Sequence, residues 1–188
     1  MPFKNTTTRY GAVSRFLHWS VFLLSFCQYV GASIMTHLAR DKTLFGLSQG
    51  DYYNWHKSFG LILLELALLR LLWRKTTPLP DWAPTLSEAE RTISHRNETL
   101  LYWCMFLLPI SGYLFVMAGG FGVKLFGVYD LLNPIGKQET LATLALVVHI
   151  VVSYAAVVFI AWHVGLGLKH HLFDRDGFLN RMLPFSRQ

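Results

Sequence analysis

Charged residues are scarce in this sequence, and their scarcity is uneven. Asp, Glu, Lys and Arg together make up 15% of the 188 residues, whereas hydrophobic residues make up 53%. A soluble domain normally carries about 25% charged residues. Four buried helices of a soluble bundle would each show a polar stripe. Instead, charge is sparse throughout four long stretches, which are residues 16–35, 55–73, 100–118 and 141–168.

Each of these stretches is long enough to cross a lipid bilayer as a helix. About 20 residues span the roughly 30 Å hydrocarbon core, and backbone polar groups cannot stay unpaired there. We therefore predict an all-α fold, an integral membrane four-helix bundle that forms a single domain over residues 1–188. The first stretch is longer than the roughly 7–15 apolar residues of a signal peptide, so we interpret it as a retained span. The predicted spans are residues 15–36, 53–74, 97–118 and 141–170.

The positive charges lie unevenly around these spans. The N-terminal segment, the second connection and the C-terminal tail carry most of the lysines and arginines, whereas acidic residues offset the cations of connections 36–54 and 119–140. By the positive-inside rule, both termini are predicted to be cytoplasmic. Because these cations flank membrane spans, we predict the lipid bilayer as a partner and no binding to nucleic acid. Ser87 and Glu90 fit a capping box, which predicts that the third helix begins before it enters the membrane.

Four of the eight histidines lie within the predicted spans, namely His18, His56, His149 and His163. A titratable ring in hydrocarbon is costly unless it is bonded, so each is a candidate functional residue. A hydrogen bond to a neighbouring helix would suffice to explain any single one. His149 and His163, however, share the fourth span at a spacing of 14 residues, which places both rings on the same side and about 21 Å apart along the axis.

Depth in the membrane predicts how these histidines pair. His18 lies near the cytoplasmic end of the first span, and His56 lies near the opposite end of the second. The predicted pairs are therefore His18 with His163, and His56 with His149. Two imidazoles from facing helices can fill both axial positions of a haem iron, which suits electron transfer. Zinc is disfavoured, since two imidazoles alone do not complete a tetrahedral site.

Two further residues are predicted to contact these haems. Gly60 lies one turn after His56, where a glycine lets a flat macrocycle approach the helix backbone. Gly31 and Gly112 could serve likewise, or could mediate helix packing. Arg70 lies 14 residues beyond His56 and therefore on the same face, where its guanidinium could bind haem propionates. The alternative for Arg70 is a side chain that extends to the cytoplasmic interface.

Other polar residues do not lie on the predicted haem-binding face of the spans. Glu65 follows His56 by nine residues, which turns it about 180° away from the haem-facing side. It could face another helix, take part in a proton relay or contact a second subunit, and its role stays open. His37 is expected to be solvated. His95, His170 and His171 flank spans on the cytoplasmic side, as solvated residues or as contacts of a quinone head group.

Several segments together resemble those of the bacterial cytochrome b561 family of small di-haem membrane proteins. They include Arg15-Phe16-Leu17-His18-Trp19, Trp55-His56-Lys57-Ser58-Phe59-Gly60, Arg70-Leu71-Leu72-Trp73-Arg74, Leu107-Leu108-Pro109-Ile110-Ser111-Gly112 and Arg181-Met182-Leu183-Pro184. The resemblance implies an inner-membrane protein in which the four span histidines ligate two haems b. It also implies quinone-linked electron transfer, with superoxide as one donor used in the family and ubiquinone as its acceptor. The absence of a Cys-x-x-Cys-His motif agrees with haem b, because a c-type haem would need that motif.

Three functions remain open from the sequence. The first is an oxidoreductase that moves single electrons between a periplasmic donor, either superoxide or a redox protein, and the quinone pool. Lys124 and Lys137 could then attract superoxide by electrostatic steering. The second is a haem-bearing anchor subunit that links a partner dehydrogenase or hydrogenase to quinone. The third is a transporter, which the absence of paired broken helices disfavours.

Overall fold

The computed structural model describes residues 2–83, 85–177 and 179–183. Each predicted span lies within one long helix, with one exception at the end of the fourth span. Its last residue, His170, begins a short π-helical segment. We call the end of the bundle near both chain termini the inner end and the opposite end the outer end. The helices are α1 (Ala12–His37), α2 (Gln49–Thr76), α3 (Glu88–Ala118) and α4 (Glu139–Lys169), and α4 is followed by the π-helical segment His170–Asp174.

Capping boxes begin the two central helices. At α3, the Ser87 hydroxyl accepts a hydrogen bond from the backbone N–H of Glu90, whose carboxylate accepts one from Ser87, so the predicted box is confirmed. Ser48 and Asp51 form the same arrangement at α2. Hydrogen bonds from the side chain and backbone of Ser48 hold the pKa of the Asp51 carboxyl below its usual range. Each box satisfies backbone donors that a helix start leaves unpaired.

Three of the four helices are long and apolar enough to cross a membrane: α1, α3, and α4 together with its π-helical extension. Helix α2 is long enough but more polar, because it contains Lys57, Glu65 and Arg70 within its apolar sequence. It nevertheless packs along both α1 and α3. The chain is therefore an all-helical membrane bundle in which α2 lies between two apolar helices.

A hairpin that the sequence did not predict covers the outer end of α2. A shorter hairpin of β1 (Thr43–Leu44) and β2 (Leu47–Ser48) precedes α2, and the covering hairpin consists of β3 (Lys124–Leu125) and β4 (Tyr129–Asp130), which pair antiparallel. The turn comprises residues 126–128, and within it Phe126 and Gly127 have positive φ values of 47° and 74°. The backbone N–H of Phe126 donates to the buried Ser58 hydroxyl at 2.7 Å, so the hairpin is fixed to α2 two residues beyond His56 in the sequence.

The C-terminal segment packs against the inner end of α1. The Arg15 guanidinium donates to the Leu183 carbonyl at 3.0 Å, and the Trp19 indole N–H donates to the Met182 carbonyl at 2.9 Å. Arg15 is buried. Arg15 lies three residues before His18 and Trp19 directly follows it, so these bonds help to position the part of α1 that carries the first histidine. Pro184, the last residue of the tail resemblance, lies outside the described residues.

Candidate cofactor site

The four span histidines meet as two pairs between the helices. The rings of His18 on α1 and His163 on α4 have their centres 6.1 Å apart, with an interplanar angle of 48°. The rings of His56 on α2 and His149 on α4 have their centres 6.3 Å apart, at 80°. The structure thus brings together the two pairs that membrane depth predicted, with one pair towards each end of the bundle.

The separation within each pair fits two imidazoles on opposite sides of one metal ion. Two metal–nitrogen bonds of about 2 Å each, extended by roughly 1 Å from nitrogen to ring centre, give about 6 Å. Protein covers three of the four histidines only partly, and it leaves His163 exposed. The Nδ1 atoms of His18 and His56 are buried without a hydrogen-bond partner among the described residues. An unsatisfied polar atom is costly, so these two rings need interactions beyond those the chain supplies.

His149 has its ring orientation set by α3. Its Nδ1 atom lies 2.9 Å from the Leu108 carbonyl, which can only accept a hydrogen bond, so Nδ1 carries the proton. The Ser111 hydroxyl lies 3.3 Å from the same atom. With the proton on Nδ1, the Nε2 lone pair of His149 is available to a metal. A bond of this kind between a ligating histidine and a backbone carbonyl is a common support for metal ligands.

Gly112 allows this close contact between α3 and His149. A Cβ atom at Gly112 would lie 3.0 Å from Cε1 and 3.2 Å from Nδ1 of the His149 ring. The structure therefore favours helix packing over a macrocycle contact for this residue. At Gly60 a Cβ would lie 3.5 Å from Nε2 of Gln28, an ordinary contact, and that nitrogen donates to the His56 carbonyl at 2.9 Å. Gly60 thus lies beside a side chain that fixes the backbone of His56.

Arg70 points into the bundle at the level of the inner pair. Its Nε donates to the Tyr102 hydroxyl on α3 at 3.3 Å, and its guanidinium lies 5.8 Å from the centre of the Tyr102 ring. The Arg70 charge also acts on both His18 and His163. The Arg70 side chain therefore packs against α3 and does not simply extend to the cytoplasmic interface. Its guanidinium places a cation beside the inner histidines.

A second arginine ties α2 to α3 next to this position. Arg74 forms a bidentate salt bridge with Glu98, with one N–O distance of 2.8 Å. Burial raises the pKa of the nearby Tyr10 phenol above its ordinary value, and the negative charge of Glu98 adds to the shift. The inner pair therefore lies beside a polar, partly buried network that the sequence alone did not reveal.

The remaining histidines stay apart from both pairs. His37, His95 and His171 are exposed, which agrees with solvated residues. The expectation of a solvated side chain is wrong for His170, which is 2% exposed. Its Nδ1 atom contacts Asp174 at 2.8 Å and Asp176 at 2.9 Å, because the π-helical segment turns these carboxylates back onto the ring.

One group of three or more potential metal ligands occurs among the described residues, and it excludes both histidine pairs. It consists of Glu90, His170 and Asp174, whose ligand atoms lie within 4.8 Å of one another. The Lys169 ammonium forms ion pairs with Glu90 and Asp174, so a cation already compensates these acids. The span histidines therefore have no third protein ligand that would suit zinc within the described part of the chain.

Comparison with known proteins shows which family this chain belongs to. The family model described as "Prokaryotic cytochrome b561" matches residues 9–185. "Cytochrome b561 homolog 2" of Escherichia coli (strain K12) is 31% identical over 189 residues, covering 99% of this chain and 97% of that protein. "Probable superoxide oxidase CybB" of Yersinia pestis is 25% identical, covering 95% of this chain and 98% of that protein. The chain therefore belongs to the prokaryotic cytochrome b561 family.

Proposed function

We propose that this protein is a di-haem cytochrome b that moves single electrons between a periplasmic donor and the quinone pool. Family membership implies haem b and electron transport in a multi-pass bacterial membrane protein. The observation that carries the finer proposal is the presence of two facing histidine pairs at two depths, both of which use α4. Two redox centres at two depths would give electrons a path between the membrane faces.

The four histidines would each have one role in this proposal. His18 and His163 would hold the inner haem, and His56 and His149 would hold the outer one. A haem iron with two histidine ligands supplies reversible one-electron chemistry and has no open position for oxygen. The chain's own contribution is to orient the rings: Leu108 sets the His149 tautomer, and Gln28 holds the His56 backbone.

The outer donor is proposed to be superoxide, with ubiquinone as the acceptor. Support comes from the 25% identity to "Probable superoxide oxidase CybB" along nearly all of both chains. The test is to expose the purified protein to a steady superoxide flux with a soluble ubiquinone analogue. We expect haem reduction, quinol formation and faster superoxide removal. Reduction by quinol, with no reaction of superoxide, would instead support a different donor.

Electrostatic steering by Lys124 and Lys137 has little support from the structure. Lys124 lies 3.8 Å from Asp130, and Lys137 lies 3.5 Å from Glu139, so each charge is largely cancelled. Charge reversal at either lysine is therefore expected to change the superoxide rate by less than about twofold at physiological salt, where exposed charges are screened. A larger loss with a flatter salt dependence would restore the steering hypothesis.

The orientation of the bundle forms a further part of the proposal. The positive-inside pattern supports cytoplasmic termini, so the inner end would face the cytoplasm. A fluorescent protein fused after Gln188 should fold and fluoresce, whereas alkaline phosphatase at the same position should stay inactive. The opposite pair of results would place the termini in the periplasm, and the outer and inner histidine pairs would then exchange sides of the membrane. Purification with a stoichiometric dehydrogenase or hydrogenase subunit would favour the anchor function over an independent oxidoreductase.

Arg70 is proposed to bind propionates of the inner haem, because it already points to the inner pair. Arg70→Gln should speed loss of the inner haem to a haem scavenger by about tenfold, since it removes a charge-assisted hydrogen bond. Arg70→Lys should have a smaller effect, because it keeps the charge and loses the bidentate fork. Faster loss of the outer haem alone, or no change in Arg70→Gln, would contradict this role.

Gly112 is expected to be essential for the outer haem. Gly112→Leu would force a side chain into the His149 ring, which already lies at contact distance of a Cβ atom. Overpacking of this kind displaces neighbours, so the variant should lose about one haem per chain. Gly112→Ala needs only a small shift and should retain both haems. Ile110→Phe, which adds bulk on the 42% exposed face of the same helix, is the matched control.

A further inference from the structure

Glu65 is an acidic residue near the middle of α2 that faces away from the bundle. Its side chain is exposed, and it makes no hydrogen bond or ion pair with any other residue of the described chain. The structure therefore excludes the option that Glu65 faces another helix of its own bundle. Because α2 packs between α1 and α3, the exposed side of α2 at this depth faces lipid.

A lone carboxyl facing hydrocarbon calls for a partner outside the chain. Ionisable residues in membrane spans are costly, and they nearly always face protein, a water-filled cavity or one another. None of these is present for Glu65 within the described residues. The partner must therefore reach Glu65 from the exposed side of α2, near the middle of that helix.

The surface that continues from Glu65 is shaped for helix packing. Leu69 and Leu72 follow Glu65 by four and seven residues, on the same face, and they are 47% and 51% exposed. They line an apolar groove of about 600 Å³, together with residues of α1 that include Leu17 and the 67% exposed Phe16. The carboxyl therefore lies about one turn beyond the deep end of an apolar groove between α1 and α2.

We propose that this face of α2 is the interface of a homodimer in which the two Glu65 side chains hydrogen-bond to each other. A two-fold axis along the membrane normal brings identical residues together at identical depth. A protonated carboxyl both donates and accepts, so it is complementary to its own copy. Within lipid, such hydrogen bonds and close apolar packing drive helix association. Because Phe16 lines the groove of its own copy, the same two-fold axis would place its ring level with the groove of the other copy.

Cysteine cross-linking in native membranes tests this dimer. Leu69→Cys is introduced in a Cys27→Ala background, while the buried Cys104 is kept. Val151→Cys is the matched control, because Val151 is 60% exposed on α4. Mild oxidation should join two Leu69→Cys chains and leave Val151→Cys chains single. The haem spectrum of each variant verifies that the bundle is folded.

Substitution of Glu65 then separates hydrogen bonding from packing alone. Glu65→Leu should weaken dimerisation by about five- to thirty-fold, the effect of one or two lost hydrogen bonds. Glu65→Gln keeps a donor and an acceptor and should preserve the cross-link. Absence of the Leu69→Cys dimer, an equal yield at Val151→Cys or a yield unaffected by Glu65→Leu would overturn the proposal. Cross-linking to a different protein in place of a second copy would also overturn it, in favour of a heteromeric partner.

Discussion

Replacement of His149 or His163 by alanine is expected to lower the haem content from about two to about one per chain. Each histidine belongs to a separate pair, and loss of one axial imidazole should leave the other site intact. The two variants should lose different haems, because the pairs have different surroundings: His149 bonds to the Leu108 carbonyl, whereas the inner pair lies near Arg70. Their remaining optical spectra and reduction potentials should therefore differ.

Exposed histidines provide the matched controls for this result. His37→Ala and His95→Ala remove rings that lie outside both pairs, so they should leave about two haems per chain. Haem content is measured as pyridine haemochrome per mole of purified protein. Full retention of haem in both His149→Ala and His163→Ala would contradict the assignment of axial ligands.

Double variants should reveal which histidines share a haem. His18→Ala combined with His163→Ala is expected to retain about one haem, the same as either single variant, because both changes damage one site. His18→Ala combined with His149→Ala should retain about none. Effects of residues that act on one site are not additive, whereas those of separate sites are.

The measurement is again haem per folded chain, with folding followed by circular dichroism and elution as a single detergent-solubilised species. The reverse outcome, in which the first double variant loses all haem and the second keeps one, would require the opposite pairing. Loss of all haem in both double variants would show that the two sites fold as one unit.

Much of the helical frame could be predicted from the sequence, because the membrane imposes a simple length rule. Twenty apolar residues without charge have few alternatives to a helix in lipid, and the Ser87 capping box marked where α3 begins. The pairing of His18 with His163 followed from depth, since antiparallel helices reverse the order of residues along the membrane normal.

Other parts of the site depend on tertiary contacts that no local pattern carries. The close approach of Gly112 to His149 arises from the packing of α3 on α4. His170 was expected to be solvated because it follows a span, yet the π-helical segment buries it against two acids. The hairpin over Ser58 has strands of two residues each, which are too short to show an alternating pattern in the sequence.

The reduced-minus-oxidised optical spectrum of the purified wild-type protein, combined with haem quantification per chain, tests the central claim most directly. Two histidine pairs predict about two low-spin b-type haems per chain, with both irons in the bis-histidine state. A chain that binds a single haem, or none, would contradict the proposed path for electrons through the bundle.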